Sequence, residues 1–459
     1  MTENQLTDIF TDLDDSIFSD GSIDPMGLRM IWTSLGNRIF GNRLNTISTD
    51  IRFYTLNLFH HHLLYACEKD HEDKFVNLIG IPPYNNRDDL REGIIIYLEC
   101  LLTQSITKAI DQADQSDGYN VPGISKLKGL KLNRPNDVRV KCLSVNKNVG
   151  ILVRQLSLGI HGRHKGPFQE MGIFNRHDYY ANTPVWKKAN ELFAQVPWIS
   201  LANSLTTIIN NRILNAPHRQ GSIIKMGIET ICSDELVEAY KEIMQPENFR
   251  QQPIVDFWEE KLGLLSGTAG NIYKQLKISG SNVSYQDIIS KASLIGVEEE
   301  NRPLLAICAI EPFLTCIEKI VNCLLKRGTS YIDDDILNFV NKWIKNTDIS
   351  PSIIGSFFDN RSIDEEALKR LKKLIAIYQE AKQTNDSLIF IKKIVSYHTE
   401  IMKTRNNLPW VSIGNKNSVT VHRSYMFNQG EIAFLENSDW VNSYYLPTLK
   451  SLHRGLYFA

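Results

Sequence analysis

The chain has 459 residues, with 51 Lys and Arg against 52 Asp and Glu and a formal charge of -1. That balance excludes a protein basic along its whole length, of the kind that coats nucleic acid. A hydrophobic content of 42% with 22% charged residues excludes a disordered chain, and the length predicts about two to four domains. The seven cysteines include no CxxC pair, which reads as reduced thiols in a cytoplasmic protein rather than a disulfide or zinc framework. The opening MTENQLTDIF has no basic segment followed by an apolar run, so no secretory leader is expected.

Residues 1–25 form an acidic arm. Glu3, Asp8, Asp12, Asp14, Asp15, Asp20 and Asp24 all precede the first basic residue, Arg29. A helical domain follows over 26–115. Asp24-Pro25 opens a helix carrying Met26, Met30, Leu35 and Ile39, and Gly41-Asn42 closes it. Ile51–Cys67 and Leu90–Ala113 are the next helices. The apolar runs Gly93–Leu102 and Pro303–Leu325 are interrupted by charges and read as buried helices rather than membrane spans.

A polar linker, DQADQSDGYN, leads into a basic module over 116–180. Between Lys126 and Lys165 the chain places Lys126, Lys128, Lys131, Arg134, Arg139, Lys141, Lys147, Arg154, Arg163 and Lys165 against the single acid Asp137. Val138 to Leu143 predicts a strand, Val149–Leu158 a helix, Gly162–Phe168 a basic turn and Met171–Phe174 a second strand, an α+β outline like a winged helix. Gly159, Gly162 and Gly166 would let backbone amides approach a phosphate, with Arg163, His164 and Lys165 supplying charge.

Residues 181–404 read as a helical domain. Helices are expected over Pro184–Gln195, Trp198–Ile213, Ser233–Met244, Pro253–Leu265, Tyr285–Ser293, Pro303–Lys326, Asp333–Asn346, Asp364–Thr384 and Leu388–Thr404. Asp333 and Asp364 stand where caps belong, and the last two helices form a hairpin across Asn385-Asp386. Within 405–459, Leu408–Ile413 and Ser418–His422 flank Gly414–Asn417 as a β-hairpin, and Trp440–Leu452 is a closing helix. The fold class is therefore mainly α, a multi-domain helical protein with a small α+β basic module and a C-terminal β-hairpin.

Other chemistry is poorly supported by spacing. Consecutive residues on a helix point about 100° apart, so His60, His61 and His62 do not share a metal ion, and helix packing is expected of them. A metal-dependent nuclease would need carboxylates on neighbouring strands. Asp256, Glu259 and Glu260 with Lys261 have helical spacing instead, Asp333–Asp335 reads as a cap, and Asp137 with Lys141 is the remaining pair. GLLSGTAGNIYKQLK lacks the order of a phosphate loop and reads as a flexible loop. Cys308, Cys316 and Cys323 fall near one helix face as core thiols. No cofactor is implied.

Three patches together are similar to an uncharacterised family of bacterial proteins associated with restriction and anti-phage gene neighbourhoods: Asp24–Phe59, Gly159–Phe174, and His398–Ile413 with Trp440–Leu449. The resemblance implies an accessory subunit of a defence complex working beside an ATPase, helicase or nuclease, and brings no catalytic residue. The expected function is nucleic-acid binding, DNA rather than RNA, through Lys126, Lys128, Lys131, Arg134, Arg139, Lys141, Arg163 and Lys165, with His164 as a pH-sensitive contact. The alternatives are a scaffold whose basic face meets an acidic protein, and a divergent nuclease.

Overall fold

A computed structural model describes residues 24–81, 84–113, 119–133, 139–142, 149–215, 224–227, 232–279, 283–327, 330–349, 355, 363–422 and 440–458. It is mainly helical, and its packing divides the chain into two units. The first takes the chain up to Phe40 and Ser266–Leu446; the second takes Gly41–Leu265 and the residues from Pro447 on. The chain therefore passes between units three times, and the borders expected at 115, 180 and 404 fall inside units. Residues 1–23 of the acidic arm lie outside the described residues.

Helix α1 (Leu28–Phe40) begins the first unit and buries Leu28, Ile31, Trp32, Leu35 and Ile39, one stripe at helical spacing. It stops at Gly41 and Asn42, both with positive φ.

The second unit is built around α2 (Ile51–Asp70), whose Asp50 cap accepts from Arg52 N. Fourteen of its 20 residues are buried, so it runs through the core and is open mainly along His62, Tyr65, Ala66, Lys69 and Asp70 near its end. After α3 (Glu72–Leu78) comes α4 (Arg87–Ala113). Among the described residues α4 is the one helix long and apolar enough to cross a membrane, yet its apolar window is 94% buried within the structure. It also carries Arg91, Glu92 and Glu99 inward, as a core helix with polar tasks does. The helix α5 (Ile124–Asn133), the strand β1 (Arg139–Cys142) and, further on, α10 (Asp234–Ile243) all pack on α4. Between them run α6 (Gln155–Leu158), α7 (Ile160–Glu170), α8 (Thr183–Leu192), α9 (Trp198–Ile209) with a π-helical turn at Asn210–Leu214, and β2 (Ile224–Gly227). α11 (Gln252–Lys261) completes the run.

The expectations for this region are corrected. The stretch 162–168 is not a basic turn but the body of α7, and Met171–Phe174 is a turn rather than a strand. The strand β1 pairs instead with β2, antiparallel, with Arg139 opposite Gly227 and Lys141 opposite Lys225. The winged-helix arrangement of 116–180 thus gives way to a ribbon whose second strand is distant in sequence. The helix expected over 149–158 is confined to α6.

The chain returns to the first unit with α12 (Gly267–Ser279), where a loop was expected, then α13 (Tyr285–Ala292) and the long α14 (Glu298–Arg327). β3 (Ser330–Tyr331) leads to α15 (Asp334–Asn346), capped by Asp333, and α16 (Glu365–Thr384), capped by Asp364. Asn385 at φ 50° and the cap Asp386 reverse the chain into α17 (Ser387–Thr404), the expected hairpin. β4 (Val411–Ile413) and β5 (Ser418–Val421) form the β-hairpin, and β3 joins it in the order β3-β5-β4. His398 pins α17 at both ring nitrogens: Nδ1 donates to Pro25 O at 2.9 Å, and Nε2 accepts from Trp410 N at 2.9 Å. The buried carboxylate of Glu311 in α14 accepts from Thr315 Oγ1 and Asn442 N on one oxygen, and from Trp32 Nε1 and Tyr444 OH on the other.

Helix α18 (Leu446–Tyr457) closes the second unit. Thr448 Oγ1 donates to Asn45 O at 3.1 Å, and Tyr457 OH donates to Glu259 Oε1 at 2.6 Å.

Candidate nucleic-acid interface and the carboxylate beneath it

The basic residues separate into two groups. Lys126 and Lys128 stand on α5, Lys126 exposed and Lys128 half-buried, while Ile124 and Leu127 turn into the core. Lys131 follows on the same helix; Arg139 and Lys141 belong to β1, and Arg134 lies outside the described residues. Since α5 and β1 both rest on α4, the five described ones are carried on one support.

The second group, Arg163, His164 and Lys165, is engaged within the second unit. Arg163 Nε donates to Leu158 O at 2.8 Å, and the Arg163 carbonyl accepts from Asn45 Nδ2 at 2.9 Å and Ser48 Oγ at 3.3 Å. His164 is buried edge-on against Tyr54, the ring centroids 4.3 Å apart. Its Nδ1 lies 2.6 Å from Ile160 O, an acceptor, so that nitrogen carries the proton. Burial pushes its pKa down to about 4, so the expected pH-sensitive contact with a ligand is corrected to a neutral core histidine. Lys165 Nζ donates to Glu92 Oε1 at 3.0 Å and lies 5.1 Å from the centre of the Tyr179 ring.

The glycines explain why the triplet misled. Gly159 and Gly162 do allow an anion and backbone to come close, but the anion is the chain's own. The carboxylate of Glu99, on α4 and buried, accepts from His161 N at 2.5 Å and from Gln155 Nε2 at 2.6 Å. It thereby caps the start of α7, where Gly159 has no side chain to do so. A Cβ at Gly159 would lie 2.1 Å from Glu99 Oε2; one at Gly162 would lie 2.2 Å from Leu156 O. Gly166 has nothing within 4 Å and serves neither purpose. Burial raises the Glu99 carboxyl to about 7 against the pull of its two donors.

Beside this cap lies a buried histidine pair. His61 Nε2 is 2.9 Å from His161 Nδ1, and His61 Nδ1 is 3.0 Å from Tyr180 OH. His161 Nε2 points toward Glu92 Oε1 at 3.9 Å, which also accepts from Tyr179 OH at 2.6 Å. Arg91 holds Glu68 with two bonds of 2.8 and 2.9 Å and Asp178 with one of 2.8 Å, its guanidinium over the Tyr180 ring. Burial keeps both histidines uncharged: His161 falls to about 3, and His61 falls well below its usual value, with His161 as the next cause. His60 bonds elsewhere, to Tyr240 OH, and His62 rests near Phe193, so the triplet does spread over three directions.

Among the described residues no group of three or more His, Cys, Asp or Glu is placed to hold a metal ion. Asp256, Glu259 and Glu260 lie on the helix α11, away from the strand setting a nuclease would need, and Asp333 is a cap. Asp137 lies outside the described residues. Cys316 and Cys323 are buried and Cys308 half-buried. Sequence reasoning passed over Glu92, Glu99 and His161. The available signal was Glu99 itself, an acid inside an otherwise apolar run, which must find donors if that run is buried. Comparison of the chain with protein-family models, with curated proteins and with solved structures returns no match.

Proposed function

We propose that the second unit binds nucleic acid through α5 and the β1–β2 ribbon, using Lys126, Lys128, Lys131, Arg139 and Lys141, with Arg134 from the sequence between them and Lys225 added by the strand register. Arg163, His164 and Lys165 are removed from the contact set, because they hold α7 to its neighbours. The observation that carries this reading is the cross-strand pair Lys141–Lys225. Like charges placed opposite one another oppose pairing, and a row of phosphates relieves that repulsion while releasing counterions. The helix α5 contributes three lysines and no acid, which continues the same sign of charge along the α4 support. We further propose, on the family resemblance, that the chain is an accessory subunit and that a partner supplies the chemistry.

Fluorescence anisotropy with labelled DNA over a salt series tests the reading. Lys126→Ala/Lys128→Ala is expected to weaken binding and to flatten the log-affinity against log-salt slope by about 2, close to one unit per lost phosphate contact. An unchanged slope and affinity in that variant, with the fold intact by circular dichroism, overturns it.

A further inference from the structure

We infer that the ligand of the β1–β2 ribbon is B-form duplex DNA, entered from the major groove, in preference to single strands or duplex RNA; this rests on the nucleic-acid reading above. Three observations converge. The first is shape. The ribbon is two antiparallel strands with four residue pairs in register, about 13 Å long at the rise of a strand and about 5 Å between strands. The major groove of B-DNA, about 12 Å wide, admits a two-stranded ribbon. The major groove of A-form RNA is too deep and narrow for side chains to read.

The second is charge. The eight residues RVKC and IKMG include Arg139, Lys141 and Lys225 and no acid, and the register sets two of these three opposite each other. A groove bordered by two phosphate rows meets positive charge from both strands of such a ribbon.

The third is what accompanies the charge. No Phe, Tyr or Trp occurs from Asn120 to Pro167, nor from Ile199 to Ala239, the stretches that supply α5 and both strands. Single-strand binding draws affinity from bases stacked on aromatic rings. Neither the helix nor the ribbon has one to offer, so their contacts favour a duplex whose bases remain stacked on each other.

The test uses the full-length chain and three ligands of one sequence: a 20-base-pair DNA duplex, the matching RNA duplex and the single DNA strand. The DNA duplex is expected to bind at least tenfold tighter than either competitor at a fixed physiological salt. Bulky glucosyl groups on the cytosine 5-position, which fill the major groove, are expected to reduce wild-type binding tenfold, while a minor-groove drug leaves it intact. Lys141→Ala/Lys225→Ala is expected to lose about two units of salt slope on the DNA duplex. Equal or tighter binding to RNA duplex or single strand, or displacement by the minor-groove drug alone, overturns the inference and leaves nucleic-acid binding standing. Failure of all three ligands to bind overturns both.

Discussion

Replacing Gly162 by Ala is expected to destabilise the second unit by about 2 kcal/mol. The added Cβ would sit 2.2 Å from Leu156 O, 2.5 Å from Ser157 O and 2.6 Å from the Ser157 carbonyl carbon, where ordinary contact begins near 3.4 Å. All three are backbone atoms, so no rotamer change relieves the contact, and α6 must move from α7 by roughly 1 Å. Such overpacking costs about 1–3 kcal/mol, and here the upper end applies because backbone must shift. The better helix propensity of Ala offsets up to about 1 kcal/mol of it. For a unit of this size, 2 kcal/mol lowers Tm by about 4–8 °C. Calorimetry of the variant beside wild type and Gly166→Ala is the assay. Gly166 is unobstructed, and its helix gain is opposed by the restriction Pro167 places on the preceding residue, so that control is expected within about 1 kcal/mol of wild type. A Gly162→Ala protein that melts with or above wild type refutes the close approach of α6 to α7 at this glycine.

Acid should weaken the second unit. The pKa values of His60 and His161 are depressed by burial to about 3, and that of His164 to about 4. Their contribution is therefore complete above the unfolded value near 6.5 and is lost as pH falls toward 3 to 4, at about 2 kcal/mol per histidine by pH 5. Glu99, raised to about 7, works in the other direction, its burial penalty relaxing as pH falls toward 4.5. A urea midpoint unchanged between pH 7 and pH 5 contradicts the neutral buried histidines. In the first unit, Glu311→Gln puts an amide NH2 against Trp32 Nε1 or Asn442 N, neither of which can accept; a loss of about 1–3 kcal/mol in urea unfolding is expected. Asp364→Ala removes the acceptor of Glu366 N and Ala367 N and should cost about 1 kcal/mol by the same measurement.

Sequence was most informative where structure is local. Asp333, Asp364 and Asn385 mark helix ends by side-chain and backbone preferences that act within one turn, and those helices lie where periodicity puts them. It failed where the determinant comes from elsewhere in the chain. The helix α7 holds Gly162, Gly166 and Pro167, all poor helix residues. It forms because Glu99 caps it and because His164 and Phe168 are buried against Tyr54 of α2. The loop reading of 263–277 failed similarly: glycines suggested freedom, but Ile272, Tyr273 and Leu276 are buried in the packing of α12. The partner of β1 was beyond local reading altogether, since a four-residue strand carries no mark of a mate more than eighty residues away. The candidate interface was half legible. Positive charge was visible, but not which cations were already committed to Glu92 or to backbone carbonyls.

The threading of the chain through its two units sets a timetable for synthesis. Among the described helices α1 emerges first, with Leu28, Ile31, Trp32 and Leu35 awaiting partners that begin only at Ser266. The 225 residues of Gly41–Leu265 come between, a delay of about 10–45 s at ordinary elongation rates. The second unit in turn lacks its closing helix until after Leu446. Neither core can be completed on the ribosome until nearly all of the described chain has been made, so nascent α1 is the segment that most needs shelter. A gene divided after codon 265 would yield two fragments that each hold part of both cores, and recovery of the native fold would depend on their finding one another.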